Sequence, residues 1–181
     1  MNGLSLFSSA GIGETYFKEV GINIVVANEL VDKRANLYRS ISPETDVVCG
    51  DITSNNIFET VMKKSISKNV SFILASPPCQ GMSIAGKNRH TDTMLNDERN
   101  YLITYVVKAI KRIKPRYVLI ENVPSLFRLV LNYKSKLRTV EEILKLEFSN
   151  YYDIDGKVID ASDYGVPQTR LRAIIKMNIK G

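Results

Sequence analysis

A chain of 181 residues with a formal net charge of +6 is long enough for one domain with a proper core, and none of its apolar runs approaches the length needed to cross a bilayer. Two cysteines and the single histidine, His90, exclude a disulfide framework and a usual structural zinc site, which points to an intracellular, reducing setting without a metal. The basic excess suits a polyanionic partner and equally a solvated surface, and the opening "MNGLSLFSSAG" has no basic stretch leading into an apolar one, so no signal peptide is expected.

Apolar, β-rich runs alternate with helical patterns along the whole chain. "LSLF" (Leu4 to Phe7) reads as a first strand, followed by a glycine-bearing turn and a helix over "ETYFKEVG" that stops at Gly21. "INIVVANE" is the second strand, with a helix from Val31 to about Ser40 behind it. "TDVVCGD" gives a short third strand, Asn55 to Ser67 a helix, and "SFILAS" the fourth strand. A helical pattern from Tyr101 to Ile113 ends before Pro115, and "RYVLIEN" is the fifth strand. Ser135 to Phe148 reads as a further helix with Val140, Ile143, Leu144 and Leu146 on its apolar side; "YYDIDGKVIDA" and "LRAIIKMNI" look like a closing pair of strands. This alternation predicts an α/β fold, a mostly parallel sheet flanked by helices in a single domain over 1–181. Such sheets bind ligands beyond the carboxyl ends of their strands, which directs attention to Phe7–Gly13, Glu29, Asp51, Pro78 with Cys79, and Glu121 with Asn122.

"FSSAGIG" after the first strand opens a turn in which glycines permit close backbone approach, though the full dinucleotide fingerprint is absent and a purely structural turn fits as well. Glu29, ending the second strand, suits both hydroxyls of a ribose. Asp51 suits an adenine amino group, or an exposed helix cap, and Phe7 offers an apolar face. A nicotinamide cofactor, and with it a nucleotide-dependent oxidoreductase, fits these residues; S-adenosylmethionine fits them too, and has no pyrophosphate to seat.

Cys79 follows the fourth strand directly, behind Pro77 and Pro78, whose fixed φ angles stiffen its delivery. A thiolate there is a strong nucleophile, whereas Cys49, inside the third strand, reads as a buried apolar cysteine. Glu121 ends the adjacent fifth strand, and Arg170 and Arg172, two residues apart in "PQTRLR", are expected on one face of a strand. Cysteine, carboxyl and guanidinium together suit nucleophilic addition to an electron-poor ring.

The blocks "LFSSAGIGE", "ANEL", "GDI", "ASPPCQGMS", "DERNYL", "ENVPS" and "DYGVPQTRLR", in this order, resemble those of the C5-cytosine DNA methyltransferase family over nearly the whole chain. The resemblance implies a Rossmann-like methyltransferase fold using S-adenosylmethionine, with Phe7, Ala10, Gly11, Ile12, Gly13, Glu29, Leu30, Asp51, Ile52, Pro78 and Leu102 lining the cofactor pocket. It further implies that Cys79 adds to C6 of a flipped-out cytosine in double-stranded DNA. Glu121 is then expected at N3, Arg172 at O2 with Arg170 in support, and Gln80 and Ser83 on a loop closing over the DNA.

Ser9 departs from the family's usual glycine, and Leu30 stands where an aromatic residue often faces the adenine. The target-recognition region and final helix of the family are not among these residues. The likeness implies the catalytic subunit of a split restriction–modification methyltransferase, cytoplasmic and completed by a second subunit; a truncated, inactive nucleic-acid- or partner-binding fragment and a relative acting on transfer RNA are the competing readings. An exposed apolar flank is expected where the final helix would pack.

Overall fold

The structure, a computed structural model, describes residues 1–78 and 98–181. The chain divides into two compact units, Met1–Ser76 with Lys108–Val118, and Pro77–Val107 with Leu119–Gly181.

In the first unit, β1 (Asn2–Leu6), β2 (Asn23–Glu29), β3 (Asp46–Cys49) and β4 (Phe72–Ala75) pair in parallel, in the order β3-β2-β1-β4. Helices α1 (Asp32–Ile41) and α2 (Asn55–Ser67) make crossovers. Leu4, Leu6, Val26, Ala27, Ile73 and Ala75 are buried, as expected of strands covered on both faces. The chain steps outward from β1 to β3 and returns on the far side of β1 as β4. Strand order therefore reverses at β1, and the turns after β1, β2 and β3 gather where parallel α/β sheets hold ligands.

Helix α3 (Ile103–Ile113), preceded by a 3-10 turn over Glu98–Leu102, and strand β5 (Tyr117–Asn122) have residues in both units. In the second unit come a hairpin of β6 (Val130–Tyr133) and β7 (Lys136–Thr139), helix α4 (Val140–Phe148), and the antiparallel pair β8 (Tyr152–Asp160) and β9 (Leu171–Ile179). The strand order of the main sheet is β3-β2-β1-β4-β5-β9-β8, an α/β sheet that is mostly parallel.

Two predicted helices differ. The segment after the glycine turn forms short 3-10 turns at Ile12–Glu14 and Phe17–Val20 rather than one helix. Phe17 is anchored edge-on against Phe72, but Ile12, Tyr16 and Val20 are 74%, 72% and 73% exposed. An amphipathic segment gains most of its helical stability by packing its apolar face, and this stripe is uncovered among the described residues. Gly21 ends the segment at φ 78°, as expected. The second difference lies in 135–139, where Lys134 and Ser135, at φ 52° and 60°, turn the hairpin instead of starting a helix. Helix α4 begins only at the Thr139–Glu142 capping box, and Leu146 faces outward, 52% exposed. Cys49 also departs from expectation: it is half-buried, with Sγ 3.8 Å from the Leu30 carbonyl.

A buried polar cluster lies beneath the turn after β1. The Ser5 hydroxyl donates to Glu14 Oε2 at 2.8 Å, while Oε1 has no partner among the described residues. Burial pushes the Glu14 carboxyl above its usual range, and the Tyr38 and Ser5 hydroxyls only partly offset this. The same burial and the facing Glu14 raise the Tyr38 phenol. The fold thus favours neutral Glu14: its contribution to stability is complete below the unfolded carboxyl's pKa and is lost as pH rises through the elevated native one. Glu14→Gln is expected to be more stable than wild type at pH 8 by about 1 kcal/mol, the gap closing toward pH 4, in urea melts at both pH values. A pH-independent difference would contradict this. Gly50 has φ 145°, and a Cβ there would sit 2.6 Å from the Ile57 side chain. Gly50→Ala is expected to cost about 2 kcal/mol in the same melts.

Candidate functional site

The strand ends of the first unit form one cluster. The turn after β1 holds Phe7 and Ser9 at φ 59° and 52°, and Gly11 at φ 79°. Only glycine takes these angles without penalty, so the Ser9 departure carries backbone strain of about 1 kcal/mol or more. At Gly11 a Cβ would meet the Tyr38 ring at 3.0 Å, so the turn lies directly on α1. Ser8 fixes the turn to β2: its amide and hydroxyl both donate to the Asn28 carbonyl, at 3.0 and 3.2 Å.

Glu29 is 5% exposed. Its Oε2 accepts from the Ser9 amide and its Oε1 from the Val31 amide, each at 2.8 Å, and Arg34 Nη1 lies 3.9 Å from Oε1. A carboxylate has about four acceptor positions, so these backbone donors hold Glu29 rigid while leaving lone pairs for a diol. One residue earlier, buried Asn28 donates from Nδ2 to the Val48 and Gly50 carbonyls, both at 3.0 Å. The Gly50 amide in turn donates to the Glu29 carbonyl at 2.9 Å. Asp51 is exposed and accepts from the Thr53 amide at 2.9 Å through Oδ1, a turn-stabilising bond that orients the side chain and leaves Oδ2 available. Ala10 and Ile52 are buried; Ile12, Gly13 and Leu30 are exposed, and Phe7 is half-buried. A rigid acid at the end of β2, an acid after β3 and a left-handed glycine turn after β1 fit the ribose, adenine and chain of an adenosyl cofactor.

The second unit holds the other cluster. Glu121, near the end of β5, pairs with Arg172 on β9: Nε lies 2.8 Å from Oε1, with the side chains 21% (Arg172) and 35% (Glu121) exposed. Arg172 Nη1 also donates to the Leu171 carbonyl at 2.7 Å, which steadies the guanidinium. Arg170 stands immediately before β9 and is exposed; its amide donates to Asp160 Oδ1, whose bonds to this amide and to that of Ser162 hold the Asp160 carboxyl below its usual range. Buried Asn122 donates from Nδ2 to the Pro77 carbonyl at 2.8 Å, while its Oδ1 accepts from the Val123 amide at 2.8 Å. Asn122 thereby fixes the backbone two residues ahead of Cys79. Pro78 and Leu102 are half-buried. Cys79, Gln80 and Ser83 lie outside the described residues. Among the described residues no group of His, Cys, Asp and Glu could hold a metal ion, and no helix is long and apolar enough to cross a membrane.

Asn122, singled out with Glu121 in the sequence, is buried at the end of β5, whereas Asn28 is absent from the predicted site, a buried amide beside Glu29 with nothing in the sequence to set it apart from an ordinary strand residue.

The sequence profile of the C-5 cytosine-specific DNA methylases matches residues 1–179. The type II methyltransferase M1.HgaI of Avibacterium volantium is 55% identical over 179 residues, covering 99% of this chain and 50% of that protein. The type II methyltransferase M.AquIA of Picosynechococcus is 32% identical, covering 98% of this chain and 72% of its own length. Among solved structures, a protein of an E. coli prophage assigned as a DNA modification methyltransferase superposes with a TM-score of 0.75 at 25% identity, over 99% of this chain and 47% of that one. The chain thus spans about half the length of M1.HgaI and of the prophage protein. Enzymes of this family take their methyl group from S-adenosylmethionine. The matched sequence profile, the 32% identity that extends over 72% of M.AquIA, and the mostly parallel sheet with acids at its strand ends place this chain in the C-5 cytosine-specific DNA methylase family.

Proposed function

We propose that this chain is the catalytic and cofactor-binding part of a DNA (cytosine-5)-methyltransferase, completed by a second polypeptide that carries target recognition and a final helix. The observation that carries the reading is the Glu121–Arg172 pair. Cytosine presents N3 and O2 side by side on one edge. A carboxylate that takes up a proton from solvent as the base enters can donate to N3, and the guanidinium donates to O2, so a base entering at this pair exchanges one ionic contact for two directed ones.

The chemistry assigned to the chain's residues runs as follows. The Cys79 thiolate forms a bond to C6 of a cytosine turned out of the duplex. Electron density moves through the ring, Glu121 supplies a proton to N3, and Arg172 holds the charge at O2. C5 is then nucleophilic: it would take the methyl group of the bound donor, whose sulfur keeps the bonding pair as a neutral thioether, and would give its own proton to solvent water. Return of electrons from the C5–H bond expels the Cys79 sulfur, and N3 gives its proton back. Glu29, Asp51 and the Phe7–Gly13 turn bind S-adenosylmethionine, which when bound supplies the electrophilic methyl. Asn122 positions the Pro77 carbonyl, and with it the segment leading to Cys79.

One observation supports a partner. In the first unit Ile12, Tyr16, Val20, Leu37 and Ile41 are exposed large apolar side chains. Gly11 packs on Tyr38 of α1 and Lys18 pairs with Glu44 just after it, so these side chains belong to adjoining segments. Such patches mark association surfaces.

The test is transfer of labelled methyl from S-adenosylmethionine to mixed-sequence duplex DNA. The chain is mixed with the half of M1.HgaI that has no counterpart here, and 5-methylcytosine is read by mass spectrometry. Product is expected only with both polypeptides. Cys79→Ser is expected to lower the rate about a thousandfold or more, and Arg172→Lys, which keeps the charge but loses the fork, about a hundredfold. Methylation by Cys79→Ser at the wild-type rate would refute the assigned nucleophile, and absence of product with both polypeptides would favour a binding fragment.

A further inference from the structure

Asn28 ties the turn after β1 and the exit from β3 to the end of β2. It is 2% exposed, and its backbone carbonyl accepts both the amide and the hydroxyl of Ser8, which fixes the turn after β1. Its side-chain amide donates to the Val48 and Gly50 carbonyls at 3.0 Å, which fixes the exit from β3. Both Nδ2 hydrogens are used on one stretch of three residues. Gly50 sits at φ 145°, and its other tie to β2 among the described residues is the 2.9 Å bond from its amide to the Glu29 carbonyl. Immediately beyond it stands Asp51, exposed, with Oδ1 engaged by Thr53 and Oδ2 free among the described residues. The direction in which Asp51 leaves the sheet is therefore held partly by the Asn28 side chain, with the Gly50 amide on Glu29 and buried Ile52 on the far side.

We infer that Asn28 is a positioning residue for cofactor specificity: by clamping the Gly50 carbonyl it places Asp51 to distinguish the 6-amino group of adenine from a carbonyl oxygen. The inference rests on the proposal that this unit holds S-adenosylmethionine. Asn28 itself touches no part of the cofactor, and its effect passes through Asp51.

The discriminating experiment is calorimetric binding of S-adenosylhomocysteine and of S-inosylhomocysteine, in which a carbonyl oxygen replaces the 6-amino group. It is run on the full chain with the complementing M1.HgaI half present. Wild type is expected to prefer the adenosyl compound by about tenfold, the worth of one directed hydrogen bond. Asp51→Ala removes that preference. Asn28→Ala and Asn28→Ser are expected to reduce it to about twofold, with affinity for the inosyl compound nearly unchanged. Adding Asn28→Ala to Asp51→Ala is expected to lower the preference no further. A purely structural Asn28 would weaken both compounds equally and leave the ratio intact, which overturns the inference; so would failure of both Asn28 variants to fold. If wild type binds neither compound, the cofactor proposal itself falls. If wild type binds both alike, the role of Asp51 falls and that of Asn28 with it.

Discussion

The fold's ligand-facing edge depends on how backbone groups are satisfied where parallel strands end. Past the last ladder bond, each chain must find partners for amides and carbonyls that no neighbouring strand supplies. In the first unit, β2 meets that demand for both neighbours. Asn28 and Glu29 bind the turn after β1 through Ser8 and Ser9, and the exit of β3 through Val48 and Gly50. The result is a set of loops with little freedom, built on rigid strands. A cofactor site needs that property, because immobilised groups lose little entropy on binding.

The second unit solves a different problem. A guanidinium and a carboxylate held half-buried at 2.8 Å are each other's counter-ion. Neither is deeply desolvated, so the pair contributes modestly to stability and is free to exchange partners. Asn122 restrains the Pro77 backbone, a restraint that the proposed nucleophile would need, since a misplacement of about 1 Å can cost about a hundredfold in rate.

Much of this was legible in the sequence. Apolar runs such as "FILA" and "YVLI" mark buried strands because a parallel sheet covers both faces, and an acid at the end of such a run, as at Glu29 and Glu121, stands out against it. Other features were not legible for physical reasons. Lys134 and Ser135 turn a hairpin with positive φ angles but carry none of the usual glycine or asparagine signal. The spacing of Ile12, Tyr16 and Val20 is that of a helix face, yet spacing does not tell whether anything covers that face. Asn28 reads as an ordinary strand residue until the carbonyls it serves are seen.

The central claim is that a sulfur of this chain bonds to C6 of cytosine during turnover. Duplex DNA containing 5-fluorocytosine tests it most directly, because fluorine at C5 cannot leave as a proton and the bond to sulfur persists. With S-adenosylmethionine and the complementing half present, a protein–DNA adduct mapped by mass spectrometry to Cys79 is the expected result. Normal methylation of unmodified DNA with no adduct on the fluorinated strand, or an adduct at another residue, would contradict the account.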